Sequence, residues 1–163
     1  MKARFISLAT LAFFVMTALS TSGCQMVRKK LGITTEVSEP EEGTPQEVVH
    51  KVMKAAMLDD ADKGFRKLQK LFHHKITSSK GDVKNWRTLY WPKNTRKKVR
   101  KGLFFEDDDK VVWRFAYSEG EGTSTVPLHL YVYNEGNPDL PTPCMLARDD
   151  KADGEWRVSG QCL

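Results

Sequence analysis

Residues 144–162 read CMLARDDKADGEWRVSGQC, and their arrangement decides the fold class. Asp153-Gly154 is a strong hairpin signal between two short strand-like runs, CMLARD (144–149) and WRVSGQC (156–162). Placing Asp150 opposite Trp156 across a five-residue loop sets Arg148 against Val158, Leu146 against Gly160, and Cys144 against Cys162. Directly opposed residues bring their Cβ atoms to about 4.5–5.5 Å, within reach of disulfide geometry. The pattern therefore predicts a Cys144–Cys162 bond closing a loop of about seventeen residues, with roughly 3 kcal/mol of stabilisation in the chain-entropy account. A redox or metal-binding cysteine pair is the competing reading, and the C-x-x-C spacing it calls for is missing.

Working outward, the period of two continues upstream. In KVVWRFAYS (110–118), Val111, Trp113, Phe115 and Tyr117 share one face, and in VPLHLYVY (126–133), Val126, Leu128, Leu130 and Val132 do the same. A glycine-containing turn (119–124) and the loop NEGNPDLPTP (134–143) separate these runs, giving four strands in an antiparallel meander.

Before the C-terminal half the period is helical. Thr44-Pro45-Gln46-Glu47 starts a helix: Thr44 caps, Pro45 fits the first helical position, and Glu47 completes a capping box. Val48, Val49, Val52, Met53 and Ala56 follow on one face. Asp60 can cap a second helix bearing Phe65, Leu68, Leu71 and Phe72. Asp82 or Gly81 opens a third with Val83, Trp86 and Leu89, which Trp91-Pro92 is expected to interrupt, because the residue before proline avoids the helical region. Helices first and an antiparallel sheet after them make an α+β domain over 44–163.

The opening TPQEVVHKVMKAAMLDDADKGFRKL and the closing DGEWRVSG resemble the two ends of nuclear-transport-factor-two-like (cystatin-like) domains. That resemblance spans about residues 44–162. It implies N-terminal helices packed on a four-stranded, curved antiparallel sheet, with a conical pocket that some relatives use for catalysis and many for ligand binding.

The other end of the chain speaks to compartment. Lys2 and Arg4 precede an apolar run over 5–19 (FISLATLAFFVMTAL), too short at about fifteen residues for a span of roughly twenty. A charged start, an apolar middle and small residues at 20–23 are the layout of a secretory signal peptide over residues 1–23. Thr21-Ser22-Gly23-Cys24 resembles the lipobox of bacterial lipoproteins, which implies that Cys24 carries the lipid. Thr21 stands where that family usually has Leu, so ordinary cleavage and release into the periplasm or beyond is the alternative. Gln25, rather than Asp, implies delivery to the outer membrane. Residues 24–43 then read as the lipidated cysteine and a flexible tether with a reach of roughly 25 Å. Lipidation also explains an odd cysteine count, since three cysteines leave an even pair in an oxidising compartment.

Charge excludes little. Losing residues 1–23 leaves 24 basic against 21 acidic side chains, a balance that does not point to nucleic acid. The densest charge is KNTRKKVRK (93–101), with Lys93, Arg96, Lys97, Lys98, Arg100 and Lys101 just after Trp86, Tyr90 and Trp91. Such a patch could bind acidic lipid or an anionic envelope polymer. The plainer reading is a solvated helix face balanced by the acidic run 106–109.

Catalytic signals are weak. His73-His74 reads as a pair of exposed helix-end histidines, because neighbours on a regular element point apart. His50 stands alone, and His129 falls on the outer face of its strand beside Tyr131 and Tyr133. Asp149, Asp150 and Asp153 sit in the hairpin turn without calcium-loop spacing. No residue matches the acid or base that an isomerase or dehydratase of the resembled fold requires. The sequence thus implies no cofactor and no metal site. It reads as a non-catalytic envelope lipoprotein whose partners are the membrane, through its lipid, and an envelope protein or anionic polymer. A small pocket enzyme of the same fold is the alternative.

Overall fold

The computed structural model describes residues 33–107, 110–137 and 139–163, with the backbone alone for 104–107. The stretches read as signal peptide, lipidated Cys24 and, as far as residue 32, tether lie outside the described residues. Thr34–Leu163 forms one compact unit.

Thr44 starts α1 (Pro45–Met57) as its side chain dictates, accepting the Glu47 N–H at 3.3 Å. Glu47 reaches back to the Gly43 N–H, one residue earlier than a capping box would place it, and pairs with Lys51. Val49, Val52, Met53 and Ala56 are fully buried, as the helical spacing predicts. Asp60 caps α2 (Ala61–Gln69) through the Lys63 N–H at 2.9 Å. The two helices close on each other at Gly64, where any Cβ would strike the Ala55 carbonyl and the Trp91 ring. After α2, Leu71–His73 runs parallel to the last strand: Val158 N–H donates to Leu71 O, and His73 N–H donates to Val158 O. Then come α3 (His74–Thr77) and α4 (Lys80–Asn85), the latter capped by Ser79 and not by Asp82 or Gly81.

The chain does not break at Trp91-Pro92. It stays helical over 80–101, through wide π-type turns at Trp86–Thr95, then α5 (Arg96–Lys98) and a last wide turn at Val99–Leu103, in which Gly102 leaves helical geometry at φ 116°. Proline lacks the N–H an α-turn would use. The widened turn answers this with bonds five residues apart, such as Arg96 N–H to Trp91 O. Tertiary anchors hold it there: Trp91 Nε1 donates to Ala61 O at 3.0 Å, and the buried Thr95 hydroxyl donates to Cys162 O at 2.7 Å.

The sheet has six antiparallel strands, two more than the four expected. β3 (Lys110–Glu119), β4 (Leu128–Val132), β5 (Thr142–Asp149) and β6 (Glu155–Cys162) make the anticipated meander. β2 (Phe104–Asp107) pairs with the first half of β3, and β1 (Thr35–Val37) pairs with its middle. β1 lies in the stretch read as tether. Three residues are too few for periodicity to reveal, and only the register opposite Trp113–Phe115 identifies them.

Two further corrections concern facing. β4 starts at Leu128, because Val126 is held in a turn by Thr123 and Pro127 lacks the N–H a ladder needs. Val126 is accordingly exposed. A bulge between Phe115 and Tyr117 turns Tyr117 out of the Trp113–Phe115 stripe, so its ring stacks on Tyr131 on the outer face, 4.4 Å between centroids.

The core lies between the helices and the inner sheet face, filled by Val49, Val52, Met53, Trp113, Leu130 and Leu146 among others. β5 and β6 turn at Asp150–Gly154, where Asp153 and Gly154 both adopt positive φ, 51° and 75°. The ladder pairs Arg148 with Trp156 and Leu146 with Val158, two residues off the expected register. A bulge then sets Ser159–Gln161 against Met145 alone and returns Cys144 opposite Cys162. Their sulfurs lie at bonding distance, and both residues are fully buried.

Candidate functional site

His73, His74 and Asp149 come together in the described domain, one ligand-type atom of each lying within 4.8 Å of the others. The exposed-histidine expectation fails here. His73 is 1% exposed, and the two rings lie 4.4 Å apart at 35°. Neighbours point apart on a regular element, but this pair straddles a helix start. His73 is extended (φ −62°, ψ 146°) and caps α3, whereas His74 is the first helical residue. They sit at the positive end of that helix, where a carboxylate belongs.

Hydrogen-bond chemistry assigns each ring. His73 Nδ1 accepts the Lys75 N–H at 3.2 Å, and Nε2 faces the Arg148 carbonyl at 3.3 Å. A carbonyl only accepts, so Nε2 carries the hydrogen and both His73 nitrogens are engaged. Asp149, 3% exposed, accepts the His74 N–H at 2.7 Å, His74 Nδ1 at 2.6 Å and the Lys151 N–H at 2.9 Å. Burial alone would raise its carboxyl. The bonds from the His74 ring, the His74 backbone and Lys151 outweigh that and hold it at about 2. Asp150 stands 3.3 Å from the same His74 nitrogen from the solvent side.

Chemically, the arrangement is a histidine oriented by an ionised aspartate, with His74 Nε2 turned away from the bond. It suits a proton better than a metal between the two groups. A tetrahedral ion with bonds of about 2.0–2.1 Å holds its ligand atoms roughly 3.3 Å apart, farther than 2.6 Å. What the cluster demonstrably does is fasten: Asp149 ties α3 to the β5–β6 turn, and His73 ties the same segment to β5. No local motif marks the cluster, because His74 and Asp149 are 75 residues apart.

Within the basic segment the two arginines turn toward the end of α1. Arg96 donates to Leu58 O at 2.7 Å and Asp59 O at 2.9 Å. Arg100 donates to Met57 O and Leu58 O, each at 3.3 Å, and faces the Asp59 carboxylate. These carbonyls close α1, where the helix leaves acceptors without donors. The two arginines are therefore C-caps for a helix forty residues away in sequence. Lys93, Lys97 and Lys101 remain exposed and Lys98 is half-buried. The acidic side chains at 106–109, offered as their balance, lie outside the described residues.

Of the other histidines, His50 is buried in α1, where burial and then Lys54 push its ring below the usual range. His129 lies on the outer strand face near Tyr131, as expected. Comparison with protein-family models, curated proteins and solved structures finds no match to this chain.

Proposed function

We propose that this chain is an exported lipoprotein whose α+β domain, held at the outer membrane by lipid on Cys24, works as a non-catalytic binding module of the cell envelope. One observation carries the reading: Cys144 and Cys162 take each other as partners inside the core, which leaves Cys24 as the odd thiol behind a lipobox-like stretch. An oxidised pair implies a compartment where disulfides persist. Each buried methylene of an acyl chain contributes about 0.8 kcal/mol, so several chains hold where one does not.

One feature favours binding over catalysis: among the described residues, side chains fill the space between helices and sheet, which is where the cystatin-like resemblance puts a pocket. The order of helices and then antiparallel sheet also keeps the cystatin-like resemblance as our proposal for the fold family. The partner envisaged is an envelope component.

Intact mass of membrane-extracted protein, with and without reductant, tests this. A mass above that of residues 24–163 by the weight of acyl chains, with two hydrogens gained on reduction, is the expected result. A species of bare polypeptide mass overturns the anchor, and one unchanged by reductant overturns the oxidised pair.

A further inference from the structure

The β6 bulge has a consequence on the outer edge of the sheet. Above it, Val158 is bridged to Leu71 and His73; below it, Cys162 is held by Thr95. Between these ties, Ser159–Gln161 faces the 76–90 segment across a cleft of about 310 Å³. That volume is at the lower end of the range for small-molecule sites, roughly 300–1,000 Å³.

The lining is chemically distinctive. Trp86 and Tyr90 pack ring to ring at 5.4 Å, with Trp86 buried and Tyr90 41% exposed. Around them stand Asp82, Asn85 and Gln161, all exposed, and none of their side chains bonds another described residue. The Tyr90 hydroxyl and the Trp86 indole N–H likewise have no acceptor among the described residues. Ser159 Oγ is fully buried at the cleft wall and also lacks a partner. Three other buried side-chain atoms, His50 Nδ1, Arg96 Nε and Trp113 Nε1, also lack a partner among the described residues, but only Ser159 Oγ stands at this cleft, beside a concentrated set of donors and acceptors.

We infer that this cleft binds a neutral saccharide. Sugar hydroxyls both donate and accept, matching a carboxylate, two amides and a phenol at once. The C–H face of a pyranose suits the exposed Tyr90 ring, apolar on its face and polar at its tip. Charge separates this site from the neighbouring cleft of about 380 Å³, whose lining is net positive, with Arg66, Lys80 and Lys84 beside an Arg87 paired with Asp62. Here Asp82 is the one charged lining residue, and it repels anions. The proposal gives a ligand class to the binding module read above and rests on it. The two fail separately, since mass decides the anchor and titration decides the cleft.

The test is calorimetric titration of the full processed chain in detergent with chitotetraose and with cellotetraose, supported by amide shifts in NMR spectra. Saturable binding of one of them, weakened at least about fivefold by Tyr90→Ala and by Asn85→Ala at unchanged melting temperature, is the expected result. Arg66→Ala in the neighbouring cleft should leave the affinity as it was. No saturable binding of either sugar, or affinity unaltered by both cleft variants, overturns the proposal. So does tighter, Tyr90-dependent binding of a short neutral peptide such as tetra-alanine, which would make the bulged edge a peptide site.

Discussion

Cys144 and Cys162 face each other across strands that are out of step. The hairpin is registered by Arg148 with Trp156 and Leu146 with Val158, and two extra residues in β6 restore the cysteines to opposition. The bulge also opens the cleft beside Trp86 and Tyr90, so one local insertion aligns the cross-link and shapes the candidate binding edge.

The cross-link should matter thermodynamically. Closing the 18-residue separation removes loop-closure entropy from the unfolded chain, about 3 kcal/mol in that account. Urea unfolding in the presence of a strong reductant should show stability lower by about that amount. An unfolding midpoint unmoved by reduction would mean that the pair contributes nothing.

Asp149 gives the domain an acid limit. Its carboxyl stays ionised in the folded state down to about pH 2. In the unfolded chain it takes up its proton near pH 4. The unfolded state therefore binds the proton first. The stability from this group is complete above about pH 4 and is lost as pH falls through about 2. Asp149→Asn should cost roughly 2 kcal/mol at neutral pH and flatten the stability profile between pH 4 and 2. A variant whose profile keeps the wild-type slope in that window would rule out the clamp.

How much of this was legible depends on how local each signal is. Thr44, Asp60 and the Val49–Met53 face announce their helices because cap and period lie within a few residues. The Cys144–Cys162 pairing was reachable from the Asp153-Gly154 turn, yet by a register that the structure corrects, since counting in twos cannot see a bulge. Pro92 does not end the helix because Trp91 and Thr95 are anchored at Ala61 and Cys162, contacts that local chain stiffness does not encode. The His74–Asp149 bond and the arginine caps on α1 were invisible because each joins residues about forty to seventy-five positions apart.

The arginine caps yield a contrast within one basic segment. Arg96→Ala removes one of two donors from the Leu58 carbonyl, which keeps Arg100, together with the bond to the exposed Asp59 carbonyl, and should cost about 1 kcal/mol, the net worth of such bonds. Lys93→Ala, Lys97→Ala and Lys101→Ala alter only exposed side chains and should each stay within about 0.5 kcal/mol. Chemical denaturation of the four variants decides it. Equal effects at Arg96 and the lysines would show that charge density, and not capping, is what the segment contributes.

Glycines at 64 and 81 should respond oppositely to the same substitution, although both lie in helices. Alanine ordinarily favours a helix over glycine by up to about 1 kcal/mol, because glycine loses more freedom on folding. At Gly81 the nearest atom to a new Cβ is Ser79 Oγ at 3.8 Å, an ordinary contact, so Gly81→Ala should stabilise. At Gly64 the new methyl meets the Ala55 carbonyl, which is helix backbone and cannot step aside, and the Trp91 ring at 2.8 Å. Relief requires α1 and α2 to separate, which loosens Phe65 and the Trp91 bond to Ala61 together. Overpacking of this kind costs about 1–3 kcal/mol, more than the helix preference returns. Thermal unfolding should therefore move up for Gly81→Ala and down for Gly64→Ala, and a rise in both would mean that the α1–α2 contact is looser than described.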